Sequence, residues 1–245
     1  TIAGNYIGTD ATGTLDRANA ATGVHIENAA GNLIGGTASA DRNVLSGNNV
    51  DGVAVTGAGA SSNAIRGNYI GTDVTGMVAL GNRIDGVDIG GAATGTMVGG
   101  TAAGERNVIG GNRRDGIAVT GANTTGVVLN GNYIGVNAAG TGALGNGRYG
   151  VRLAATGTMV GGTTPAARNV ISGNAVDGIA VLGGTGNVIR GNYVGTNATG
   201  TAAIANLEDG VWVNAGSNTT VGGTAAGAGN LLSGNAWSGV AVTGT

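Results

Sequence analysis

The chain of 245 residues has no cysteine and no phenylalanine, and it has one proline and one histidine. Without thiols no disulfide scaffold can form. A single histidine, His25, leaves no material for a His-based metal cluster or a Ser-His-Asp triad. Lysine is also absent, so all 11 basic residues are arginine, set against 13 acidic ones for a net charge of −2. That balance gives no basic stripe for a phosphate backbone, so no nucleic-acid partner is expected. No apolar run is long enough for a transmembrane helix, so no membrane span is expected. Glycine is abundant, at 54 residues, but no triplet period runs through it and Pro165 stands alone, which excludes collagen. With 41% hydrophobic residues and so little net charge, disorder is excluded as well.

A repeat fills the space these exclusions leave. Gly-Asn-x-x-x-Gly-(Val/Ile)-x-(aliphatic), or a close variant, recurs with Asn at 19, 48, 82, 112, 146, 174, 206 and 235, each four residues before Gly 23, 52, 86, 116, 150, 178, 210 and 239. Successive glycines are 29, 34, 30, 34, 28, 32 and 29 residues apart, whereas spacing inside the motif is fixed. Fixed motifs joined by variable connectors are the signature of a solenoid. Residues 1–245 are therefore expected to form one elongated repeat domain of about eight coils, roughly 31 residues each.

Each coil carries three short apolar stretches. The first puts β-branched residues two places apart, as in Val24 and Ile26 or Ile117 and Val119, which predicts a strand with both side chains inward. The second carries Ile34, Ile65, Val98, Leu129, Val160, Ile189 and Val221, with Ile2 in the same column. The third carries Ile7, Leu45, Ile70, Ile109, Ile134, Ile171, Val194 and Leu232. Two places before the third column lies a second asparagine series: Asn5, Asn43, Asn68, Asn107, Asn132, Asn169, Asn192 and Asn230. With Asn19, Asn48, Asn82, Asn112, Asn146, Asn174, Asn206 and Asn235, these mark two corners where the bent backbone leaves polar groups outside any sheet. A side-chain amide both donates and accepts, so stacked Asn can satisfy them. Glycine beside the Asn is expected to supply positive φ. Coils alternate in type, so the larger repeat is a pair of coils, seen at Gly4, Gly67, Gly131 and Gly191. At about 4.8 Å per coil, eight coils predict a rod about 38 Å long without helices.

Stacked Asn corners, three strands per coil and Asn-x-x-Asp-Gly-(Val/Ile) segments such as Asn48 to Val53 and Asn174 to Ile179 resemble the right-handed parallel β-helix class. This is the fold of pectate lyases, polygalacturonases and many bacterial surface proteins, and the resemblance covers essentially the whole chain. It implies an all-β solenoid and leaves activity open, since the class includes enzymes, adhesins and stalks.

Several columns hold candidates for chemistry. Between the inward residues of the first strand lie His25, Ala54, Asp88, Ala118, Arg152, Ala180, Trp212 and Ala241. The polar members fall on alternate coils, about 9.6 Å apart, too far for direct acid–base pairing, so a solvated face is expected. Asp51, Asp85, Asp115, Asp177 and Asp209 precede the motif glycine. A local Asx-type turn is the favoured reading, with Ca²⁺ at Asp51, Asp85 and Asp115 as the weaker one. No other cofactor is expected. Asp10 and Asp73, replaced later by Asn137 and Asn197, read as turn residues. Arg83, Arg113, Arg114, Arg148, Tyr149 and Arg152 share one corner, where they form either a patch for an acidic glycan or an ion-pair network with Asp85 and Asp115. Tyr6, Tyr69, Tyr133 and Tyr193 form a packing column on alternate coils.

The leading expectation is a non-catalytic β-helical segment of a bacterial extracellular or cell-surface protein, serving as stalk, adhesin body or filament unit. Thr1 enters within a second strand and Thr245 follows a first strand, with no capping helix, so a longer array or end-to-end stacking with copies of itself is expected. The rival is a polysaccharide lyase or hydrolase acting on an acidic extracellular glycan through the arginine patch with Asp85, Asp88 or Asp115. Ice or mineral binding would need a Thr-x-Thr column on every coil, and the sequence has none.

Overall fold

The computed structural model describes residues 1–102 and 104–244; Thr245 lies outside the described residues. The chain winds as a right-handed parallel β-helix, with three sheets running its length. The first sheet has eight strands, from Val24–Glu27 to Val240–Val242, the second has seven, from Leu33–Gly35 to Thr220–Val221, and the third has eight, from Tyr6–Ile7 to Leu231–Leu232. Counted along the first sheet, that is seven complete turns with partial ones at either end.

Among the described residues every strand pairing within the three sheets is parallel and in the register the sequence columns predict, and the antiparallel bridges, such as Thr72 to Ala79, lie in the protruding loops. Ile117 faces Val87 and Val151, Leu129 faces Val98 and Val160, and Ile134 faces Ile109 and Ile171. Ile2 joins the second column through a bridge to Ile34. The aliphatic columns merge into one continuous core, in which Ile65, Ile89, Ile117, Leu129, Ile134 and Leu153 are fully buried. Among the described residues the only helical geometry is two single 3-10 turns, Ser39–Asp41 and Pro165–Ala167, both in connectors.

Both asparagine columns form unbroken ladders. The Asn82 amide donates to Asn112 Oδ1 at 2.9 Å, and Asn112 repeats the bond to Asn146 at 2.9 Å. The series is continuous from Asn19 to Asn235 and from Asn5 to Asn230. Each Oδ1 also takes a backbone N–H of the preceding coil at most rungs, as Asn112 does from Asn82 at 3.2 Å. The bends thus lose none of their polar groups to an apolar interior.

A third corner, between first and second sheets, was not read from the sequence. Asn32 bonds to Asn63, and Asn187 accepts from Thr158 N–H at 2.9 Å. Thr96, Val127 and Thr158 interrupt this column, and the hydroxyls of Thr96 and Thr158 are buried without partners.

Glycine has two separate jobs here. Most of those just before corner asparagines take positive φ, Gly67 and Gly131 at +69° and +70°, as expected, whereas Gly81 and Gly145 do not. The motif glycine itself is different: Gly116 has ordinary φ, but a Cβ there would sit 2.6 Å from the Gly150 carbonyl oxygen. Its role is clearance between coils.

Candidate functional site

The aspartate column runs along the entrance to the first sheet and is buried: Asp85 is 3% exposed and Asp115 0%. Its hydrogen bonds differ from the local turn expected. Asp51 Oδ1 accepts the Asp85 backbone N–H at 2.9 Å, Asp85 Oδ1 accepts that of Asp115 at 2.9 Å, and Asp177 and Asp209 do the same one coil onward. At this point the chain has not yet entered the sheet, so the N–H has no ladder carbonyl, and the carboxylate below replaces it. The column clamps coil to coil. Among the described residues no group of three or more His, Cys, Asp or Glu is placed to hold a metal ion. For Ca²⁺ at Asp51, Asp85 and Asp115, the oxygens already serve amides and arginines.

Burial drives the acidities. It pushes the Asp51 carboxyl up, and it pushes Asp85 up to about 6, with the nearby Asp115 charge adding to the rise and the Asp115 N–H and Arg114 opposing it. Asp88, on the outward position of the neighbouring strand, also rises to about 6, through burial and then the charge of Asp51, against Arg152 and Arg114. Asp177 reaches about 6 by burial with no arginine to offset it.

The arginine corner divides into three parts. Arg152 Nε lies 2.5 Å from Asp115 Oδ2, and its Nη2 lies 3.8 Å from Asp85 Oδ2. Arg114 spans the same two carboxylates at 3.8 Å each. Arg148 stacks over the buried Tyr149 ring at 4.5 Å and donates to its hydroxyl at 3.2 Å. Arg83 and Arg113 are exposed. Of the six residues expected to form one patch, two are thus inside the ion-pair network and two are stacked on each other.

The outward face of the first sheet is less solvated than the sequence suggested. The register is as expected, with Asp88 and Arg152 flanking Ala118, but Ala54, Ala118 and Ala180 are 5%, 0% and 0% exposed. Larger side chains on alternate coils leave the alanines between them no access to water. His25 Nε2 meets Thr56 Oγ1 at 2.9 Å, and Trp212 Nε1 donates to Thr243 at 2.7 Å. Asp85 and Asp88 sit with raised carboxyl groups near Arg152, and the hollows of about 590, 320 and 280 Å³ along the rod are lined by other residues. The 590 Å³ hollow, lined by Ala143, Gly145, Gly173, Ala203, Ile204 and Leu207 among others, carries no ionisable side chain.

Turn residues behave as expected: Asp73 takes the Thr75 hydroxyl and the N–H groups of Met77 and Val78, and Asn137 takes Thr141 N–H. The protruding loops they build stack through Val74 N–H to Gly13 and Ala138 N–H to Gly76, both 2.9 Å.

One arrangement escaped the sequence reading. Arg42, Arg106 and Arg168 lie over the rings of Tyr69, Tyr133 and Tyr193 at 4.2, 4.1 and 4.0 Å. The signal was present as Arg-Asn-Val at 42, 106 and 168, but the partners are one coil apart and two columns had to be combined to see it.

No protein-family model matches the sequence, and no curated protein does. Among solved structures, the crystal structure of the periplasmic alginate epimerase AlgG is similar at 15% identity and a TM-score of 0.46, over 92% of this chain and 43% of that one. The chain thus corresponds to less than half the length of that protein.

Proposed function

We propose that this chain is a stiff, non-catalytic β-helical body of an extracellular or cell-surface protein, a stalk or adhesin shaft whose partner is more β-helix, in cis or in trans. One observation carries the reading: the groups suited to chemistry are spent on holding coils together. Asp51 and Asp85 each secure an amide of the next coil, and Arg114 and Arg152 neutralise Asp85 and Asp115. Among the described residues no helix is long and apolar enough to cross a membrane. Incubation with polyuronates, followed by ultraviolet absorbance of unsaturated products and by reducing-end release, is expected to give no turnover. Sedimentation at rising concentration is expected to show association through the rod.

A second reading, a lyase or hydrolase on an acidic glycan, draws support from Asp85 and Asp88 rising to about 6 beside Arg152. Turnover with an optimum near that pH, lost in Asp88→Asn and Arg114→Ala, would replace the first reading.

A further inference from the structure

The three arginine–tyrosine stacks lie on one face, that of the third sheet. Tyr69 pairs with Val108, which pairs with Tyr133, which pairs with Val170, which pairs with Tyr193, so successive tyrosines are two strands apart. Two strand spacings place the stacks about 9.6 Å apart in a straight row.

Each stack is built alike. The arginine Nε–H donates to a corner carbonyl of the next coil, Gly67, Gly131 or Gly191, at 3.2 to 3.3 Å. The tyrosine ring below presses on a loop glycine, Gly76 under Tyr69 being one case, where a Cβ would approach ring atoms to 2.9 Å. The guanidinium is therefore held flat and oriented, with little rotamer freedom left to lose on binding. Its Nη groups make no hydrogen bond or ion pair among the described residues. Nearby carboxylates are engaged elsewhere: Glu105 pairs with Arg66 at 2.6 Å, and Asp41 accepts the Ala38 N–H. Arg42 and Arg168 are half-buried and Arg106 is exposed.

A planar, preset fork of donors matches a carboxylate. Three such forks at a two-coil interval match a linear chain with one carboxylate for every two linked sugar rings. Nucleic acid fits poorly, because its charges recur about every 3.4 Å along a strand. We propose that this face binds an extended acidic polysaccharide of disaccharide repeat, one carboxylate per arginine–tyrosine stack. The face is separate from the Arg83 to Arg152 corner. It supplies a ligand for the non-catalytic body proposed above, yet the two readings fail separately: absent binding leaves the body non-catalytic, and turnover would not remove these stacks.

The test is calorimetric titration at low salt with a hyaluronan fragment long enough to span the three stacks. Binding is expected, weakened about tenfold by Arg106→Gln and lost in the Arg42→Gln/Arg106→Gln/Arg168→Gln variant, while Arg83→Gln/Arg113→Gln binds as the parent does. If the triple variant loses its β-sheet signal, the three single variants decide, each expected to weaken binding by a similar factor. No binding by the parent, binding indifferent to the three arginines, or equal competition by single-stranded oligothymidylate would overturn the proposal.

Discussion

Replacing Asn112 with alanine removes one rung of the ladder that runs from Asn19 to Asn235. Its Oδ1 accepts both the backbone N–H of Asn82, at 3.2 Å, and the Asn82 side-chain amide, at 2.9 Å, while its own Nδ2 donates to Asn146 at 2.9 Å. Asn82 is fully buried, so its backbone N–H loses its acceptor with no water to replace it. That orphan costs about 1 to 3 kcal/mol, and the two lost amide–amide bonds add about 0.5 to 1.5 kcal/mol each. The sum centres near 4 kcal/mol on the same scale. In a solenoid the loss falls on the coil and its neighbours. Native-state hydrogen exchange at the Asn82 amide is therefore the sharpest assay, with protection falling about a thousandfold for 4 kcal/mol. Urea denaturation followed by circular dichroism should show a lower midpoint. Asn49 provides the control: its Oδ1 is buried without a partner, so Asn49→Ala should stay within about 0.5 kcal/mol of the parent. Equal costs for the two substitutions, or a cost below about 1 kcal/mol at Asn112, would refute the reasoning that the ladder satisfies the corners.

Gly116→Ala should cost about 1 to 3 kcal/mol, because the added Cβ would lie 2.6 Å from the Gly150 oxygen, whereas Gly229→Ala, with open space around it and ordinary φ, should be neutral or slightly stabilising; thermal denaturation separates them. Arg152→Leu leaves the wholly buried Asp115 with only Arg114 at 3.8 Å, and should cost about 3 kcal/mol, most of it recovered when Asp115→Asn is added in a double-mutant cycle. Asp177 titrates near 6 when folded against 3.8 unfolded, so the folded state holds the extra proton between those values; its contribution is complete below pH 3.8 and is lost as pH rises through 6. Asp177→Asn keeps the acceptor for the Asp209 N–H and removes the charge, so it should be more stable than the parent at pH 7 and lose stability less steeply between pH 4 and 7, Asp85 and Asp88 keeping their own share of the slope, as measured by denaturation across that range.

The fold was legible because each coil repeats the same burial problem. A residue such as Ile117 needs partners above and below, and the sequence supplies Val87 and Val151 at the same place in the motif. What the sequence concealed were contacts between different columns of adjacent coils. The Asp85 oxygen reaches an amide 30 residues away, and nothing local to Asp85 distinguishes that from an Asx turn. The third ladder was hidden because Thr96, Val127 and Thr158 break its composition, although Asn32, Asn63 and Asn187 keep its geometry. For the arginine corner, proximity along the chain could not say that Arg152 would turn to Asp115 while Arg83 stayed in solvent.

Interior and surface of this rod have different periods. The core and both complete ladders repeat every coil, because each turn must bury the same aliphatic side chains and satisfy the same bends. Two surface columns repeat every second coil: Tyr69, Tyr133 and Tyr193 alternate with Val108 and Val170, and His25, Asp88, Arg152 and Trp212 alternate with alanines. A large side chain on every coil would have to stack at about 4.8 Å, which leaves little room for a guanidinium above a ring together with its own hydration. Alternation with small or aliphatic residues relieves that crowding and doubles the interval at which the rod can present an identical group. One column, Ser61, Thr94, Thr125, Thr156, Thr185 and Ser217, carries a hydroxyl on each successive coil, whereas the arginine–tyrosine stacks present the same charged group at every second coil, the interval of a chain with one charge per two sugar units. The pairing of coils in the sequence is thus what sets the spacing of the charged and aromatic groups the rod presents along its length.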